Sequence, residues 1–178
     1  EPSHKTSYAE LVNPLGVTVH YFVSHFWGHP FKKTLLSLDA FASDTVTHPA
    51  AVVFWICLFA LNQHKAGEEV GKSPEDGPFN VALAKAENGV VMVLDEHVRP
   101  LKRVWCLYEI QRASDLGKQL QILCECGHIE QKPEVLKLVV DEIQNVGAID
   151  AKASQDKDRI AIFYRIMEPM SRRIYTDE

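Results

Sequence analysis

Short apolar runs alternate along the chain with longer stretches in which apolar residues recur every three or four positions, the pattern of strands followed by amphipathic helices. Residues 17–24 are rich in β-branched and aromatic side chains and run into His25-Phe-Trp-Gly28, which predicts a first strand ending in a loop. Pro30 then marks a helix start, and Leu35, Leu38, Phe41 and Ala42 keep helical spacing through residues 31–43. Residues 51–59 are almost continuously apolar, as a central strand covered on both faces would be, and are read as strand two. Between residues 60 and 78 the chain turns polar, with Gly67, Gly71, Pro74 and Gly77 punctuating what is expected to be a long functional loop.

Residues 79–86 predict a short helix and 89–94 a third strand, followed by a helix over 104–116 that Gly117 closes and a fourth strand over 120–124. A helix over 133–144, a weak fifth strand over 148–151 and a last helix over 156–170 complete the pattern, with Ile160, Phe163, Met167 and Met170 on one face of the last. Such alternation predicts an α/β fold, an open and mostly parallel sheet with helices on both faces. The 178 residues fit one domain, with a core over about residues 17–170, and no repeat or internal boundary is visible.

Composition narrows the partners. A formal charge of −5, with few adjacent basic residues, Lys32-Lys33 and Arg172-Arg173 among them, argues against a nucleic-acid ligand, which needs clustered cations. Cys57, Cys106, Cys124 and Cys126 lie in or beside apolar runs, and no signal peptide is visible, so reduced thiols and a cytoplasmic location are expected. The most apolar segment, residues 50–61, is shorter than the ~20 residues a membrane helix needs, so no membrane partner is expected. The polar start without Met is compatible with a piece of a longer protein.

In open parallel sheets ligands bind beyond the carboxyl ends of the strands, so site residues are expected in the loops after strands one, two and three. Three clusters fall there: Ser24-His25-Phe26-Trp27-Gly28, Asn62-Gln63-His64, and residues 103–109. On its helix Glu109 shares a face with Trp105 at i−4, Cys106 at i−3 and Arg112 at i+3. An indole wall would raise the carboxyl pKa and Arg112 would lower it, and an exposed Glu109–Arg112 pair is the plain structural alternative to a catalytic carboxylate.

Tyr21-Phe-Val-Ser24, Val90-Val-Met-Val-Leu94 and above all Trp105-Cys-Leu-Tyr-Glu-Ile110 resemble the Toll/interleukin-1 receptor (TIR) domain over most of residues 17–170. The resemblance implies a flavodoxin-like sheet of about five strands. Many TIR domains cleave NAD at the nicotinamide–ribose bond with the Glu of this helix, which implies Glu109 as the catalytic residue, NAD as substrate rather than cofactor, and self-association through TIR-like contacts. Signalling or defence is the implied setting. A carboxylate suits the oxocarbenium-like ribosyl cation of such a cleavage. Ser24, His25, Trp27, Trp55, Asn62 and Trp105 are the expected substrate-binding walls, with Phe26 a further ring for stacking on nicotinamide or adenine. The chain departs from the family in His25-Phe26-Trp27-Gly28 after the first strand and in the long loop after the second.

Two other readings fit the same residues: a TIR-like module that signals by self-association without catalysis, and an enzyme similar to nucleoside deoxyribosyltransferases. His25 with His29, and Cys124-x-Cys126-x-His128, carry metal-ligand residue types, yet neither makes a zinc-finger pattern and no metal ligand is assigned. Cys106 near a helix start is a weaker nucleophile candidate with no base partner, and Ser24 lacks a Gly-x-Ser-x-Gly elbow. The glycines of residues 67–77 form no phosphate-binding fingerprint.

Overall fold

Five strands order as β2-β1-β3-β4-β5 in a computed structural model that describes residues 6–45, 48–65, 76–95, 97–125, 127–129, 133–145, 160 and 162. The elements are α1 (Tyr8–Val12), β1 (Tyr21–His25), α2 (Phe31–Thr45), β2 (Phe54–Trp55), α3 (Cys57–Ala60), α4 (Pro78–Lys85), β3 (Gly89–Val93), α5 (Val104–Asp115), β4 (Leu120–Cys124), β5 (Gly127–His128) and α6 (Pro133–Asn145). Single 3-10 turns at Pro49–Ala51 and Arg99–Lys102 precede β2 and α5. All neighbours run parallel except β4 and β5, so the fold is α/β with a mostly parallel open sheet of the flavodoxin-like kind.

The two sheet faces divide the core. Tyr21, Val23, Val91, Val93 and Leu123 pack against Leu38 and Phe41 of α2, while Phe22 and Val90 meet α4 and α5 through Phe79, Leu83 and Ala113. Every residue of β1 and β3 is buried, which is why Val and aromatic side chains run through them without a polar alternation. No helix among the described residues is long and apolar enough to cross a membrane.

Two expectations from the sequence need correction, and one strand was not foreseen. Strand one begins at Tyr21, not residue 17: the His20 imidazole Nδ1 accepts the Val53 N–H at 2.9 Å, taking the donor that a longer β-ladder would use. The run 51–59 is not a central strand. It contributes two ladder residues at the sheet edge and then one helical turn, because a continuous apolar run fits either conformation and here lies partly under α1, with the Tyr8 and Phe59 rings 5.4 Å apart. The strand after β4 is the antiparallel Gly127–His128, returned by a tight turn with Gly127 at φ +96°. The expected strand 148–151, most of the loop 60–78 and all but two residues of the last helix lie outside the described residues; of those two, Ile162 is buried against Val104 and Tyr108.

Candidate functional site

The strand order reverses direction between β1 and β3, so a crevice opens beyond their carboxyl ends, where Ser24 pairs in register with Met92. Helix α5 covers this end with the row Cys106, Glu109 and Ala113, each buried. Cys106 packs with Met92 and Ala113 with Phe22 and Val90, and Glu109 stands between them in a stripe whose other members are small or apolar. A carboxyl in that position is expensive to ionise.

Only 6% of Glu109 is exposed, and burial lifts its pKa to about 7 against the opposing pull of the Ser24 hydroxyl and the Arg103 guanidinium. Ser24, 1% exposed, lies near enough for its dipole to act on the carboxyl, yet neither Ser24 Oγ nor Glu109 Oε2 completes a hydrogen bond. Buried polar atoms are nearly always paired, so two unpaired ones near each other at the switch point single out this end of the sheet as the candidate site. The flanking thiols are inert: burial and the Glu109 charge push Cys57 up to about 12 and Cys106 further still.

The mouth of the crevice is aromatic and cationic. Trp27 is 49% exposed and its indole N–H donates to Cys57 Sγ at 3.1 Å, which ties the ring to the first residue of α3. Arg103, the residue before α5, stacks its guanidinium 5.4 Å from the Trp27 ring centroid and 5.8 Å from that of Phe26. Arg99 lies over Phe26 at 4.8 Å and is tied to Asp95, whose Oδ1 accepts the Arg99 backbone N–H at 2.8 Å and whose Oδ2 accepts the side-chain Nε. Val98 holds this turn in the left-handed region at φ 53°, a conformation that costs a β-branched residue about 1–3 kcal/mol and persists here because its side chain is buried with Met92, Leu94 and Leu101. Gly28 lets the Phe26 ring fold back, since a Cβ there would meet that ring at 2.5 Å.

The other residues singled out in the sequence divide. His25 follows Ser24 and alternates to the α2 face of the sheet; it is 5% exposed, its Nε2 makes no hydrogen bond, and burial holds its pKa down to about 4. His29 Nδ1 pairs with Thr34 Oγ1 at 3.2 Å. Trp55 and Trp105 belong to a packed row of rings: Trp55 stacks on Phe22 at 5.0 Å, and Trp105 stacks on Phe79 at 5.3 Å. Both pack against the core cluster of Phe22, Phe79 and Leu83. Asn62 is buried and its Oδ1 accepts the His64 N–H at 3.0 Å, closing the turn after α3. Arg112 Nε donates to Asn80 Oδ1 of α4 at 2.6 Å, so the Glu109–Arg112 pair is replaced by a bond between helices.

Arg103 opens the 103–109 cluster read from the sequence, and two residues that the sequence reading left outside the site, Arg99 and Cys57, join it. Cys57 was hidden inside the apolar run taken for a strand, whereas Arg103 stood one residue before α5 and carried a positional signal. Among the described residues no three His, Cys, Asp or Glu side chains come together as a metal site, and Cys126 lies outside them. No protein-family model, curated protein or solved structure matches the chain.

Proposed function

We propose that this is a TIR-like domain that hydrolyses the nicotinamide–ribose bond of NAD in the crevice beyond β1 and β3, with Glu109 as the catalytic residue. The observation that carries the reading is a buried, incompletely hydrogen-bonded carboxyl of pKa about 7 at the point where the strand order reverses. Breaking the bond between ribose C1′ and the pyridinium nitrogen returns the electron pair to nitrogen, so nicotinamide leaves neutral and needs no acid. Positive charge develops on the ribose instead. An ionised Glu109 in a site of low dielectric stabilises that charge, water then attacks C1′, and its proton is released. The products are nicotinamide and an ADP-ribose. Ser24 supplies a hydroxyl for the ribose or the carboxylate, and the exposed Trp27 ring offers a face to a base.

On this reading the chain works in a reducing compartment, the cytoplasm, in signalling or defence, and self-association assists the site; the three described cysteines are unbridged. The test is nicotinamide release from NAD by wild type and Glu109→Gln across a range of protein concentrations. Wild-type release that falls a hundredfold or more in a folded variant supports it. Absence of release at every concentration overturns it in favour of a non-catalytic self-association module, and release of free base from nucleosides but not NAD would assign a nucleoside-processing enzyme.

A further inference from the structure

Arg103 and Arg99 share the Phe26 ring but differ in what neutralises them. Arg99 is held by Asp95, whereas the guanidinium of Arg103, half-buried on two aromatic faces, forms no ion pair or hydrogen bond among the described residues. Stacking occupies the flat faces of a guanidinium and leaves its edge donors available, the arrangement that suits bidentate recognition of a phosphate. The setting adds to this. Helix α5 starts directly after Arg103 with no side-chain cap and no acidic residue in its first turn, so its amide dipoles also favour an anion. Arg103 lies close enough to Glu109 for its charge to act on the carboxyl, which places the two groups at the same site.

We propose that Arg103 is the phosphate anchor of this site and selects phosphorylated ribosyl substrates, nucleotides and dinucleotides, over nucleosides. The proposal rests on the reading of Glu109 as the group acting at the ribose, and deepens it: an anionic substituent on the ribose would be gripped by Arg103 while C1′ faces the carboxyl. Arg103 is then a specificity-determining binding residue that touches no reacting atom, and its loss should raise KM with little change in kcat.

The experiment measures kcat and KM for nicotinamide release from NAD, nicotinamide mononucleotide and nicotinamide riboside by the whole chain, as wild type, Arg103→Met and Arg103→Lys, each on the high-pH plateau of its own rate profile, where Glu109 is ionised whether or not Arg103 is present. Met keeps an apolar stem against Phe26 and Trp27 without the charge. The expected result is a loss in kcat/KM of about ten- to hundredfold for the two phosphorylated substrates in Arg103→Met, carried by KM, with the riboside within about twofold. Arg103→Lys should recover part of the loss, because a point charge replaces the fork. Equal losses on all three substrates, or none, overturn the anchor while leaving Glu109 catalysis standing. If wild type cleaves none of them, calorimetric affinity for ADP-ribose decides: weakening tenfold or more in Arg103→Met keeps the anchor and discards the hydrolase reading, and equal or absent binding discards both.

Discussion

The two ends of the same sheet are built to opposite rules. At the amino end the chain closes on itself: Glu87 and Asn88 donate their N–H groups to Val19 and His20 at 3.0 and 2.8 Å, Val90 to Gln119 at 2.8 Å, and Lys118 Nζ to the Ala86 carbonyl at 2.6 Å. A hollow of about 480 Å3 remains there, lined by these satisfied groups. At the carboxyl end the polar residues Ser24, His25 and Glu109 are buried, whereas Glu87 and Asn88 at the amino end are exposed, and each of the three leaves a polar atom unpaired. One end spends its sequence on stability and the other holds an arrangement that stability alone would remove.

The largest test of that contrast is Glu109→Gln followed by denaturation at several pH values. A carboxyl whose pKa rises from 4.5 to about 7 on folding binds more protons in the folded state, so folding is progressively penalised as pH climbs through that window and the penalty is constant above it. The shift corresponds to about 3 kcal/mol. Glu109→Gln should therefore gain about that much on wild type between pH 5 and pH 8, with the two proteins close together at pH 5. A gain that is flat with pH would mean that the carboxyl ionises freely in the folded protein, and the crevice would lose its main credential.

At the other end the sign reverses. Gly89 opens β3 at φ +109°, where an added Cβ would stand 2.4 Å from the Gln119 carbonyl oxygen, an atom held in the sheet by the Val90 N–H. Gly89→Ala should cost about 2 kcal/mol or more by urea denaturation, because it combines backbone strain with a clash against main chain. The surviving folded protein should release nicotinamide at the wild-type rate. A stable Gly89→Ala, or one that is folded yet inactive, would show that the amino end is not the structural half of the pair.

The sequence made the amino-end scaffold easier to read than the carboxyl-end site. Val90-Val-Met-Val and Leu120–Cys124 declare themselves as strands because nothing but a buried strand suits so many β-branched or apolar residues in so few positions, and Gly117 at φ 62° ends α5 where an L residue would be strained. Residues 51–59 misled because hydrophobicity without period does not distinguish a strand from a helix, and only the hydrogen bonds of Phe59 and Ala60 to the Ile56 carbonyl settle the chain as a turn of helix. Glu109 was visible as a carboxylate sharing a helix face with Trp105 and Cys106. Its relation to Ser24, 85 positions earlier in the chain, comes from the parallel pairing of β1 with β3 and from α5 folding over both, which no local pattern encodes. Arg103 stood in the same candidate cluster as Glu109 but received no role of its own, for a similar reason: its setting depends on Phe26 and Trp27, rings contributed by a different loop.

The smallest expected effect is also the most discriminating. Ser24→Ala removes a buried hydroxyl that has no hydrogen-bond partner, so the change should leave stability within about 1 kcal/mol of wild type, whereas deleting a paired buried group normally costs more. Its consequence falls on Glu109. The hydroxyl dipole is the foremost influence opposing desolvation of the carboxyl, so without it the Glu109 pKa must move above 7. Because the ionised carboxylate is the active form in the proposed reaction, nicotinamide release should rise with pH through that pKa and level off, and Ser24→Ala should displace the rise to higher pH. An unmoved midpoint, or one shifted to lower pH, would break the link between Ser24 and Glu109 and leave the serine as a packing residue. A shift upward at unchanged stability would separate the two ends of the sheet in one variant: a buried polar group whose removal costs the fold little and alters the chemistry is one retained for that chemistry.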